Sequence, residues 1–250
     1  MITVATTTPK TPSSSRLGAR LTQSYETSSR PFATAEYSDI VSGSPLILAS
    51  RSPRRRQLLT EYGFAAHEAV HPGFEDATLK PGTNNPAAWV ASLAYLKAWA
   101  KANDASAQSR VVIGADTACL MDHQLIGTPT SAAEAQSMIR AFIGREHEVL
   151  TGVAVIDARG ETPSRYVFTD TARVRLGHLT DQQLAQYVAS GAWMGKAGGY
   201  NYREALAAGW PLSHTGDVTT IMGLPMGRLT ALLTKLGVPQ VSDTAEKVPA

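Results

Sequence analysis

The chain holds a single cysteine, Cys119, in 250 residues. One cysteine can form neither an intrachain disulfide nor a thiolate zinc site, and it suits a reducing compartment, so a cytoplasmic location is expected. Flanked by Ala118 and Leu120, it reads as buried filler rather than a nucleophile. Long apolar runs are missing too. No stretch approaches the ~18 residues of a membrane span, which excludes a membrane partner on this reading. Charge of one sign is also scarce, with 23 Lys and Arg against 21 Asp and Glu, a net +2. Nucleic-acid binders usually carry a basic face or stripe, so no nucleic-acid partner is expected. The cations cluster only at Arg51, Arg54, Arg55 and Arg56. What remains, 43% hydrophobic and 18% charged, has the composition of a soluble globular protein with apolar mass for a core. Its length fits one large domain or two small ones.

Three regions differ in composition. Residues 1–43 are rich in Ser and Thr, carry Arg16, Arg20 and Arg30, and show no apolar periodicity. They read as a disordered extension that cannot bury enough surface to fold; the competing reading is an organellar transit peptide, which is also Arg- and Ser-rich and poor in acids. Residues 44–238 form the expected domain, and 239–250 read as a flexible tail.

Inside the domain, strand and helix signals alternate, as in an α/β fold. Leu46 to Ala49, Val111 to Ala115, His147 to Ile156 and Arg165 to Val174 are strand-like. Ser52-Pro53 and Asn85-Pro86 each predict an N-cap followed by proline at the first helical position. Ser131 and Thr180 predict two more caps, and a last helix carries Leu229, Leu232, Leu233 and Leu236. The helix after Asn85 is expected to turn Trp89, Leu93 and Leu96 inward. No internal repeat is visible.

The chemistry-bearing signals sit at element ends. Leu48-Ala49-Ser50-Arg51-Ser52-Pro53-Arg54-Arg55 is a strand, a turn and a helix start. Free amides and the dipole make a helix N-terminus an anion site. Arginines oppose that dipole, so three of them in the first turn suit a bound polyphosphate, which guanidinium forks grip; a solvated basic turn is the plain alternative. Asp116 follows the Val111 to Ala115 strand, and ligands of open α/β sheets sit beyond strand carboxyl ends. A carboxylate there can hold a divalent cation or take a proton from water, or merely shape a turn. Glu75 is a second loop acid. Lys97 lies at the edge of its helix's apolar face, where it can reach a phosphate or snorkel. His67-Glu68-Ala69-Val70-His71 spells the zinc-protease pattern HExxH. That pattern needs a helix, and Gly63 and Pro72 leave it about two turns.

Several blocks in order resemble Maf-like nucleotide pyrophosphatases (septum-formation-inhibitor Maf). They are Leu46 through Arg55, Leu93-Ala94-Tyr95-Leu96-Lys97-Ala98, Ile113-Gly114-Ala115-Asp116-Thr117, Thr151-Gly152-Val153, Gly195-Lys196-Ala197-Gly198-Gly199-Tyr200 and Gly223-Leu224-Pro225. The resemblance covers about residues 45–237. It implies an inosine-triphosphatase-like α/β fold, an elongated mixed sheet flanked by helices with a cleft between two lobes. It also implies hydrolysis of nucleoside triphosphates to monophosphate and pyrophosphate with Mg or Mn, a house-cleaning role, and a homodimer. By carry-over, Asp116 is the catalytic carboxylate and binds metal with Glu75. Ser50, Arg54, Arg55, Lys97, Thr117, Lys196 and Arg203 are substrate- and phosphate-binding.

Two positions depart from the family pattern. Thr128 replaces the lysine of a Gly-Lys-Pro block, and Arg203 replaces a Gln or Glu that tracks the base. Arg203 is expected to restore in space the charge lost at Thr128. Arg54 and Thr117 lean towards dTTP/UTP-type members. These departures also raise the alternative of a catalytically weak nucleotide-binding protein that affects cell division.

Overall fold

The structure is a computed structural model that describes residues 44–65, 67–73, 79, 85–122 and 124–240. The expectations for residues 1–43, for Glu75 and for nearly all of the 239–250 tail fall outside these residues. The described strands build one mixed sheet. Strand β1 (Leu46–Ala49) pairs in parallel with β2 (His67–Val70) on one side and β3 (Val111–Met121) on the other. Beyond β3 the pairing is antiparallel, through β4 (Gln124–Ile126) at the distal end of β3 and through β5 (Glu146–Asp157), β6 (Ser164–Leu176) and β7 (Leu212–Thr215) across the sheet. The order is β2-β1-β3-β5-β6-β7.

Helices cover both faces, which is why β1 and the first half of β3 are buried without alternation in the sequence. Alternation returns in the packing. Leu46, Leu48, Val111 and Ile113 face one core with Leu58 and Leu59 of helix α1 (Pro53–Glu61), together with Leu229 and Leu233 of α7 (Met226–Lys235). Ile47, Ala49 and Val112 face the other way, against Ala94 and Ala98 of α2 (Pro86–Ala102). A second core on the α1 side joins Cys119, Val149 and Val174 to α3 (Ala132–Phe142), α4 (Asp181–Ala189) and α5 (Tyr202–Ala207). A short α6 (Val218–Ile221) precedes α7. Among the described residues no helix is long and apolar enough to cross a membrane.

Helix α2 departs from its expected face. Val90, Leu93, Ala94 and Ala98 are buried, while Leu96 is 39% exposed. The reason is close approach. A Cβ on Gly114 would lie 2.2 Å from the Ala94 carbonyl oxygen, and one on Gly152 2.4 Å from that of Val90. Two neighbouring strands thus present bare backbone, and the backbone of α2 itself meets it, at Ala94 and Ala98 over Gly114 and at Val90 and Ala91 over Gly152. Three predicted caps form: Asn85 accepts from Ala87 N at 2.8 Å, Ser131 from Glu134 N at 3.2 Å, and Thr180 closes a capping box with Gln183. Ser52 stands at the N-cap of α1, but its side chain caps nothing; its amide instead donates to Ser50 Oγ.

The HExxH block is strand β2 followed by His71, so its histidines cannot share a helix face. His67 Nδ1 contacts the Phe64 carbonyl, and His71 Nδ1 accepts from Gly73 N.

Candidate active site

A second departure shapes the site. Asp116 does not follow a strand end; it lies mid-strand, paired with Gly152 of β5. What ends there is β1. Its last residue, Ala49, pairs with Gly114, and β4 begins pairing only at Cys119. Residues 115–118 of β3 therefore have a strand on one side alone. Into this notch in the sheet edge reach the turn after β1 and the first turn of α1.

A cavity of about 520 Å³ opens at the notch. Arg51, Ser52, Arg54 and Arg55 of the turn line its mouth with Asp116, Thr117, Thr128, Lys196 and Glu204. Its inner wall is less polar: Cys119, His147, Val149, Val174, Tyr200, Tyr202 and Met222. Most of these side chains belong to the second core on the α1 side, and Met222 to the first.

Each expected residue has a definite place. Asp116 Oδ1 accepts from Lys97 Nζ at 2.6 Å, and both side chains are nearly buried, at 14% and 12% exposure. The close seating of α2 on Gly114 and Gly152 brings these two groups together. Ser50 is buried behind the lining, where its Oγ accepts from Ser52 N at 3.2 Å and from Arg55 Nη1 at 3.1 Å. Arg54 lines the mouth directly. Arg55 bonds the protein from every nitrogen: Nε to Gly223 O at 2.9 Å, Nη1 to Ser50 Oγ and to Ala115 O at 2.9 Å, and Nη2 to Thr117 Oγ1 at 3.0 Å. Lys196 forms an ion pair with Glu204 at the rim. Arg203 is not brought to the cavity lining; half exposed on α5, it pairs with Glu61 of α1 at 3.3 Å. Thr128, whose missing charge Arg203 was expected to restore, does line the cavity.

Thr117 is set by a hydrogen-bond chain. Thr151 Oγ1 donates to the Thr220 carbonyl at 2.8 Å, which uses its one proton. Thr117 Oγ1, 2.9 Å away, must therefore donate to Thr151, while it accepts from Arg55. A hydroxyl holds one proton and two lone pairs, so Thr117 turns only acceptor capacity towards any further group.

Some lining residues carry no sequence signal of function. His147 is 3% exposed, stacks on Phe142 at 4.1 Å, and has Nε2 3.1 Å from the Tyr200 hydroxyl. Burial pushes its pKa down to about 4 and the Cys119 thiol up to about 12, so both are uncharged near neutrality. The period-2 alternation of β5 puts His147, Val149 and Thr151 on one face, which was readable, but nothing marked that face as a cavity wall. Glu204 gave no signal at all.

Residues 45–236 match the family model described as Maf-like protein. The chain belongs to this family. Curated relatives agree along almost their whole length. A dTTP/UTP pyrophosphatase of Hyphomonas neptunium is 37% identical over 194 residues, covering 78% of this chain and 96% of that protein. One of Symbiobacterium thermophilum is 38% identical over 194 residues, covering 78% and 95%. One of Ralstonia nicotianae is 36% identical over 199 residues, covering 77% and 94%. The Maf-like match leaves out residues 1–44 and begins one residue after the first described one.

Proposed function

We infer that this chain hydrolyses nucleoside triphosphates to monophosphate and pyrophosphate, with dTTP and UTP as the substrate class. The observation that carries the reading is the cavity mouth. It gathers the first turn of α1, Arg51, Arg54 and Lys196 beside the Lys97-held carboxylate of Asp116. Relatives named for dTTP and UTP support the base class.

In this reading the polyphosphate lies across the mouth, where the helix N-terminus and the guanidinium of Arg54 neutralise its oxygens. Lys196 exchanges Glu204 for phosphate. Asp116 takes the proton of a water attacking the α-phosphorus, the α–β bridge breaks, and pyrophosphate leaves. Lys97 fixes one carboxylate oxygen, so the group cannot swing away from the attacking water. The nucleoside lies against the less polar inner wall, and Thr117 at the mouth offers it an acceptor.

The donor set fits a divalent ion. Among the described residues no group of three His, Cys, Asp or Glu side chains forms a cage. Mg²⁺ and Mn²⁺ need none when one or two carboxylates and substrate phosphates share the coordination. Asp116, with Glu75 by the family resemblance, would hold the ion, which when bound supplies charge neutralisation at the phosphates. A cytoplasmic location rests on the lone Cys119, and the homodimer on the family resemblance.

The test is a panel of triphosphates with Mn²⁺ and purified protein, read as pyrophosphate release. Release from dTTP and UTP, lost in Asp116→Asn, is expected. No release above the Asp116→Asn control would overturn the reading in favour of a weak nucleotide-binding protein.

A further inference from the structure

We propose that Arg55 is a positioning residue for Asp116, and that the triphosphate is held by the other cations of the mouth; the proposal rests on the hydrolytic reading above. Three observations carry it. First, the notch leaves the Ala115 carbonyl without a strand partner on that side, and Arg55 Nη1 supplies the missing donor at 2.9 Å. Nη2 bonds Thr117 Oγ1. The guanidinium thus grips the residue before Asp116 and the residue after it, acting as a rung where the ladder is interrupted. A buried carbonyl left without a partner is costly, so this grip is structurally required.

Second, the other contacts tie that rung to its surroundings. Nη1 also reaches Ser50 in the phosphate turn, and Nε reaches Gly223 O ahead of α7. A guanidinium has five N–H donors in a rigid fork, and four bonds to protein acceptors already fix its plane. Third, the backbone is shaped around it. Gly223 has φ +100, a conformation that side chains rarely adopt, and a Cβ there would stand 3.1 Å from Arg55 Nε and 3.2 Å from Thr117 Oγ1. The glycine makes the slot in which the fork lies.

A phosphate ligand and a strut differ in what their loss does. A ligand acts on binding; a strut misplaces Asp116, and misplacement by about 1 Å can cost on the order of a hundredfold in rate. The experiment compares Arg55→Ala, Arg55→Lys and Gly223→Ala with wild type. It reads kcat with dTTP, the Kd of a non-hydrolysable α,β-imido analogue, and amide hydrogen exchange of the peptide spanning residues 115–121. For both Arg55 variants kcat should fall about a hundredfold, analogue Kd should stay within about threefold, and exchange at 115–118 should quicken. Lysine should not rescue, because a point donor cannot span the fork's acceptors. Free guanidinium should restore part of the Arg55→Ala rate, and methylammonium should not. Gly223→Ala should reproduce the faster exchange with every arginine of the turn intact.

The proposal is overturned if Arg55→Lys retains activity, or if analogue Kd weakens tenfold or more while exchange is unchanged. If Arg55→Ala does not fold, the lysine and Gly223 variants decide alone. Wild-type protein without hydrolysis would defeat the functional reading, and the exchange measurement would still decide the strut.

Discussion

Replacing Gly152 with alanine tests how the fold places Lys97 on Asp116. Gly152 is the cross-strand partner of Asp116, and its α-hydrogen faces α2. The added Cβ would stand 2.4 Å from Val90 O, 2.5 Å from Val90 C and 2.7 Å from Ala91 N. All three are backbone atoms of one helix, so no side chain can swing aside. Ordinary contact begins about 1 Å further out, and α2 must retreat by about that much against a close-packed interior. Overpacking of this kind costs about 1–3 kcal/mol, and sometimes more. For a domain of this size each kcal/mol moves Tm by about 2–4 °C, so a loss of ~6–12 °C is expected at the upper end. The same retreat stretches the 2.6 Å Lys97–Asp116 bond towards the limit of hydrogen bonding, and turnover should fall by one to two orders of magnitude, about the cost of 1 Å of misplacement. Gly160→Ala is the control, since a Cβ there meets nothing nearer than 3.8 Å. Thermal melts and pyrophosphate release measure both effects. A Gly152→Ala protein with unchanged Tm would refute the packing. A lowered Tm with full turnover would refute the dependence of the reaction on the Lys97–Asp116 pair.

Three further outcomes are expected. His147 has its pKa pushed down to about 4 by burial, so between that value and the unfolded value near 6.5 the unfolded chain binds more protons; stability is full above pH ~6.5 and falls on acidification towards pH ~4, by up to about 3 kcal/mol. Urea midpoints from pH 7.5 to 4.5 should show that slope, and a slope unchanged in His147→Gln would assign it elsewhere. Arg203→Ala should leave the KM for dTTP within about twofold and Tm nearly unchanged, because an exposed ion pair such as Arg203–Glu61 contributes about 0–1 kcal/mol; a tenfold rise in KM would instead place Arg203 on the phosphates. Purified protein should carry no stoichiometric zinc by elemental analysis, and His67→Ala should retain activity, since His67 lies on a strand; bound zinc lost in that variant would contradict the strand assignment.

The elements that could be read from the sequence were those whose signals are local. Caps at Asn85, Ser131 and Thr180 depend on residues within three positions, and the apolar runs of β1 and β3 need no partner to be recognised. The short edge strand β7 escaped because Leu212–Thr215 gains its pairing from β6, with three of four residues exposed. The buried face of α2 differs from the sequence expectation for a similar reason. Leu96 looked like core because it is large, but Gly114 and Gly152, far away in the chain, decide which side of the helix can come close.

The same contrast runs through the site. Arg54, Arg55 and Asp116 were visible as residue types at element ends, and their chemistry followed from charge. What could not be read was that β3 continues past Asp116 while β1 stops. That difference in strand length turns Asp116 from a residue beyond a strand into one held mid-strand. It also creates an unpaired carbonyl that needs a donor. Two adjacent arginines then face different problems. Both line the cavity, but Arg55 also completes the sheet edge. Neighbouring identical residues on a helix point about 100° apart, so the fold can turn one towards the cavity and anchor the other on the backbone. The decision lies in where β1 ends, and that depends on the turn at Ser50, whose hydroxyl accepts from the amide of Ser52 and the guanidinium of Arg55. The turn after β1 and strand β3 are therefore coupled through one side chain, and substitutions at Ser50 should resemble those at Arg55 more closely than those at Arg54.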